Sequence, residues 1–230
     1  MAKLTSSDKV KGTIGEYTIV RSHKYGDHIR AKRGTYKKAK LNKPFQAQTK
    51  KIPGANRHAK IFKDAIDPHR KGFEDSTMWS RLISTFMHQF DTHGAFDFSA
   101  LEPFDINKDN TFEKVMELTP KVRVDKKKSV LEVNLSYPAH PPVKKAGYLH
   151  GYRFTVVGVF PDVKKNSART AVSCSDISLT GNVVPVNVQL PIPRGAKIFL
   201  VCIRIDGCRY GKIDGPNTMK AMKMIEAGGI

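Results

Sequence analysis

A chain of 230 residues, 40% of them hydrophobic, can bury a core, and it has no run of about 18 apolar residues to carry a helix across a membrane. Its 40 Lys and Arg outnumber 21 Asp and Glu for a net charge of +19, distributed as +13 in residues 1–60, −5 in 61–120 and +11 in 121–230. The opening Met1-Ala-Lys-Leu-Thr-Ser-Ser-Asp8 lacks the apolar stretch of a signal peptide, and Cys174, Cys202 and Cys208 lack C-x-x-C spacing, which argues against a disulfide framework or zinc site and for a cytoplasmic protein.

Between Gly12 and Gly34, β-branched and aromatic residues flank Tyr25-Gly26-Asp27, and Gly-Asp in that setting predicts a β-hairpin. Ile19, Arg21 and His23 alternate with Val20 and Ser22, so one side of the hairpin presents basic side chains while the other packs. Thr35 to Pro44 has neither a helical nor a strand period and reads as an extended basic connector.

Ala55, Ala59, Phe62 and Ile66 fall at helical spacing, with Pro53-Gly54 just upstream and Asp67-Pro68 as the stop. Arg57, Lys60 and Lys63 lie off that apolar stripe. A second helix is capped by Asp75 or Ser76, carries Trp79, Leu82, Ile83, Phe86, Met87 and Phe90 at i, i+3, i+4, i+7, and ends at His93-Gly94. From Lys121 onward the chain turns to short strands between Pro, Gly and Asn: Leu131 to Leu135, Tyr152 to Phe160, Ala171 to Leu179, Val183 to Leu190 and Lys197 to Asp206, with Met219 to Ile225 as a last strand. Strands at this spacing predict an antiparallel sandwich or barrel.

The chemistry the sequence advertises is electrostatic. Lys and Arg on an extended segment neutralise phosphates and release counterions, while Tyr25, Tyr36 and Phe45 offer rings for stacking on bases. Asp105-Ile-Asn107-Lys-Asp109-Asn-Thr111 imitates a calcium loop, but Asn110 stands where Gly is needed and Met116 where the bidentate Glu is needed, so a polar turn is the better reading. His88 and His93 are five apart and His58 and His69 eleven apart, neither matching the i, i+4 spacing of a helical metal site, and the histidines read as surface or interface side chains. No G-x-S-x-G or Walker motif occurs, and Cys202 within Ile198-Phe-Leu-Val-Cys-Ile-Arg-Ile reads as a small core residue. The expectation is a protein that is not an enzyme and needs no cofactor.

Gly12-Thr-Ile-Gly15-Glu-Tyr-Thr18, Arg30-Ala-Lys-Arg-Gly34, Phe45-Gln46, Arg81-Leu82, Leu101-Glu-Pro-Phe104-Asp-Ile-Asn107 and the segment from Tyr210 to Ile225 resemble motifs of a family of cytosolic proteins of similar length from Bacteroidota, a domain of unknown function. This chain has Pro103 and Ile106 where that family's L-x-G-F-E-F-N has Gly and Phe. The resemblance implies a strand-rich N-terminal unit, a helical middle and a β-sandwich end, and it brings no catalytic residue with it.

These observations predict an α+β protein: a basic N-terminal β-hairpin and arm over 1–52, a short helical segment over 53–120 and a C-terminal antiparallel β-sandwich over 121–230. The function they favour is nucleic-acid binding with little sequence preference, through Arg21, Lys24, Tyr25, Arg30, Lys32, Arg33, Tyr36, Lys37, Lys38, Lys40, Lys43, Lys50, Lys51 and Arg57. The alternative is a structural or assembly subunit, of a phage particle, filament or secretion apparatus, whose arm wraps the acidic surface of a neighbour, self-assembly included.

Overall fold

In the computed structural model the residues described are 2–3, 12–20, 26–32, 42–72, 74–136, 151–179, 185–208, 210, 212–213 and 219–230. The chain divides into two compact units, Met1–Ala47 and Gln48–Ile230, and three antiparallel sheets and three α-helices make up its regular structure among those residues.

The first unit holds a four-stranded sheet in the order β1 (Ala2–Lys3), β4 (His28–Ala31), β3 (Tyr17–Val20), β2 (Gly12–Ile14). Gly15, at φ +56°, turns β2 back on β3 so that Ile14 faces Tyr17, the left-handed conformation a two-residue hairpin loop needs. β3 and β4 pair antiparallel from Tyr17 opposite Ala31 to Val20 opposite His28, which forms the expected hairpin. Arg21 and His23, expected on its basic side, lie outside the described residues, as does the connector from Thr35 to Leu41.

Where description resumes, the chain is helical rather than extended. Asn42 Oδ1 accepts from the Phe45 amide at 3.2 Å, Pro44 sits in the first turn, and α1 runs Lys43–Ile66, so the arm expected up to residue 52 is helix from Lys43 onward. Pro53 and Gly54, expected to precede the helix, lie inside it. Pro53 is exposed and forfeits one N–H, while Gly54 lets the Phe96 ring pack against the helix: a Cβ there would lie 2.2 Å from the ring. The turns that follow bury Ala55, Ala59, Phe62 and Ile66, and that packing overrides the local breaker signal.

The second unit has three layers. Its middle layer is a six-stranded sheet in the order β10 (Ser178–Leu179), β8 (Gly151–Asp162), β12 (Ile198–Cys208), β13 (Lys220–Gly229), β5 (Phe104–Asp105), with β9 (Ser167–Cys174) also pairing β8. Phe154, Val156 and Phe160 of β8 and Val201, Ile203 and Ile205 of β12 share a core with Leu131, Val133, Leu135, Val188 and Leu190 of a three-stranded sheet ordered β11 (Val186–Pro191), β7 (Val130–Ser136), β6 (Thr119–Asp125). Val157, Val159, Leu200, Cys202, Met222 and Met224 leave the other face and pack under α1 and α2 (Met78–His93). Burial on both faces explains why β8 and β12 read as continuous apolar runs rather than as alternation. The helical segment is thus the outer layer of this sheet, within the same compact unit as the strands that follow it.

α2 follows its sequence signal except at its start, where the N-cap is Thr77 rather than Asp75 or Ser76 and, among the described residues, no side chain caps the helix. Leu82 and Phe86 are fully buried, and Gly94 in the left-handed region donates its amide to the Phe90 carbonyl at 2.8 Å. The remaining short helix, α3 (Phe112–Val115), leads from β5 into β6. Among the described residues no helix is long and apolar enough to cross a membrane.

Candidate nucleic-acid interface

The sheet of the first unit sorts its side chains by register. Ile14 faces Tyr17, Tyr17 faces Ala31 and Ile19 faces Ile29, so these five lie on one face; Thr13, Thr18, Val20, His28 and Arg30 lie on the other. The apolar face is open: Ile14 is 64% and Tyr17 60% exposed, and together with Ile19, Ile29 and Ala31 they line a groove of about 500 Å³. No described residue before Ala55 is buried. On the polar face the Thr13 and Thr18 hydroxyls bond at 3.2 Å, and the Arg30 Nε is buried with no hydrogen-bond partner among the described residues. Residues 1–47 carry twelve Lys and Arg against Asp8, Glu16 and Asp27, a net +9.

Of the side chains expected to touch nucleic acid, Arg21, Lys24, Tyr25, Arg33, Tyr36, Lys37, Lys38 and Lys40 lie outside the described residues. Arg30 is half-buried in β4, and Lys32 follows it, exposed, with its amide bonded to the Glu16 carbonyl at 2.6 Å. Lys43, Lys50 and Arg57 are exposed on α1, spaced by seven residues and therefore on one helix face about 10.5 Å apart, with Lys60 one turn beyond Arg57. Lys51 is engaged elsewhere: its ammonium pairs with Asp91 and stands 5.3 Å from the centre of the Phe90 ring, tying α1 to α2. Lys60 belongs to the basic face although the sequence reading left it out; helical spacing from Arg57 was the available signal. Tyr17 and Ile14 were missed as well, because the Gly15-Glu16 turn interrupts the alternation that would have put them together.

Charged groups deeper in the second unit hold elements together. Arg81 donates to Asp75 Oδ2 and the Ile106 carbonyl, both at 2.9 Å, and to the Asp105 carbonyl at 2.8 Å, while its guanidinium lies 4.7 Å from the Phe104 ring centre. Burial alone would raise the Asp75 carboxyl, but the Thr77 hydroxyl and amide, the Lys108 amide and Arg81 together hold it down at about 2. Arg204 grips Asp206 with two bonds of 2.7 Å and donates to the His69 carbonyl. Lys63 and Arg70 each reach Asp67 at 2.5 Å.

The calcium-like segment is a polar turn. Asn107 Oδ1 accepts from the Asp109 amide at 2.9 Å and the Asn110 amide at 3.1 Å, Asp105 Oδ1 accepts from the Phe112 amide at 3.0 Å, and Asn110 donates to the Lys220 carbonyl. Its oxygens therefore serve backbone amides, and among the described residues no three His, Cys, Asp or Glu converge as a metal site would require. His58, expected at a surface, is buried among the rings of Phe86, Phe96 and Phe98, with Nδ1 2.9 Å from the Gly54 carbonyl. Cys202 is fully buried, and burial pushes its thiol well above the ordinary range.

A cavity of about 190 Å³ lies between Phe112, Met116, Leu118, Ile203 and Ile225, with the Lys223–Glu113 pair beside it, below the size that encloses most organic ligands, and an open cleft of about 440 Å³ lies beside Arg81, Phe104 and Lys108. No family model, curated protein or solved structure matches the chain.

Proposed function

We propose that this chain is a non-enzymatic nucleic-acid-binding protein that grips phosphates with little sequence preference, using the first unit and the exposed basic face of α1. The observations that carry the reading are the +9 charge of residues 1–47 and, on α1, the exposed Lys50, Arg57 and Lys60, of which, among the described residues, only Lys60 has a carboxylate nearby, Asp64 at 4.0 Å. Such a surface exchanges bound counterions for phosphates, so log affinity falls linearly with log salt. The two facing sheets serve as a β-sandwich scaffold in this reading. Kinship with the Bacteroidota proteins its motifs resemble, and a cytoplasmic location, belong to the same proposal.

The test is a salt titration of binding to labelled oligonucleotides. Changing Lys50, Arg57 and Lys60 together to Gln should make the slope of log K against log salt shallower by about 2 to 3, at roughly 0.7 to 0.9 per lost phosphate contact. Binding that does not change between low and moderate salt would count against the reading.

A further inference from the structure

We infer that the open apolar face of the first unit's sheet is a base-stacking platform, so that the partner is single-stranded rather than duplex nucleic acid. The inference rests on the nucleic-acid reading above and narrows it to one substrate class.

Three observations meet on this face. First, the unit's two most exposed large apolar side chains on the sheet, Ile14 and Tyr17, are directly opposed on adjacent strands, with Ile19 and Ile29 continuing the surface. The neighbour of Tyr17 across β4 is Ala31, whose methyl group is too small to cover the ring. Second, a sheet with an apolar face needs a second layer to exclude water from it, and no described side chain of this unit is buried. Third, the charge selects what that layer is. A second copy laid face to face would bring another +9 against the first, which disfavours a symmetric pair. A duplex answers the charge but not the apolar face, because its bases are stacked inside. A single strand answers both, laying unstacked bases on Tyr17 and its neighbours while its phosphates answer the +9 charge that residues 1–47 carry.

The experiment measures anisotropy of the full chain with labelled oligothymidylate and with a mixed-sequence duplex of equal length, at matched salt. The single strand should bind at least about tenfold more tightly, and Tyr17→Ala should remove about tenfold of that affinity while leaving duplex binding and the salt slope unchanged. Tyr17→Phe should retain wild-type binding, whereas Tyr17→Leu, which keeps apolar bulk without an aromatic face, should lose as much as alanine. Equal affinity for the two forms, or a Tyr17→Ala loss shared equally by both, overturns the platform but leaves phosphate binding standing. A dimer that Tyr17→Ala dissociates, without single-strand preference, assigns the face to a second copy and also overturns it. If neither form binds even at low salt, the nucleic-acid reading itself fails and takes the platform with it.

Discussion

In the first unit Tyr17 and Ile14 keep most of their surface in water, whereas in the second Phe154 and Val157 leave β8 in opposite directions and both are fully buried. The same β-branched and aromatic vocabulary thus builds a one-layer sheet in one place and the middle of three layers in the other. Burial of this kind is what resists unfolding, at roughly 25 cal/mol per Å² of apolar surface, so stability resides in the second unit. The first contributes charge and an uncovered surface.

Substitutions at matched residue types break or sharpen this contrast. The largest effect is expected at Phe86→Ala, which opens the layer between α2 and the sheet and should cost about 3–5 kcal/mol in urea unfolding. An effect below about 1 kcal/mol would mean that the helical layer is not integral to the unit. Next is Asp75→Asn. Because the Asp75 carboxyl is held from 3.8 down to about 2, its contribution is fully present above its ordinary value and is lost as pH falls through about 2. The substitution should cost about 2 kcal/mol near neutral pH, and the gap from wild type should close between roughly pH 4 and 2, which urea midpoints measured across that range would follow. A gap independent of pH would sink the assignment of a charged latch.

Gly54→Val forces a branched side chain into the Phe96 ring and should cost about 1–3 kcal/mol, read as a lower melting temperature. Smallest of all is Tyr17→Ala on stability. The side chain is 60% exposed, so the unfolding midpoint should move by less than about 0.5 kcal/mol, even though the same change should weaken single-strand binding about tenfold. A large stability loss there would show that the face is covered by the protein itself.

The second unit was largely legible in sequence wherever a periodic signal ran long enough. Leu82 and Phe86 declared α2, and the apolar run from Ile198 to Ile203 marked a strand, although its burial on both faces appears only in the structure. The first turns of α1 were hidden because Pro53-Gly54 is a strong breaker pair, and only the packing of Phe96 and the buried turns beyond explains why the helix passes through it. β5 was invisible: two residues have no period, and Phe104 and Asp105 become a strand only because Met224 and Lys223 lie beside them. At the candidate interface the charge could be counted directly, but the apolar face could not, since it is assembled across three strands.

The pairing of β5 with β13 has a kinetic meaning. Residues 104 and 105 acquire their strand partner only from residues 223 and 224, more than a hundred positions later, and the Asn110 contact with the Lys220 carbonyl and the Glu113 contact with Lys223 span the same interval. During synthesis the helices therefore emerge long before the edge they dock beside exists, and the middle sheet closes late. Pairings this distant in sequence raise contact order, which slows folding and prolongs the time that apolar surface stays exposed before β13 is in place.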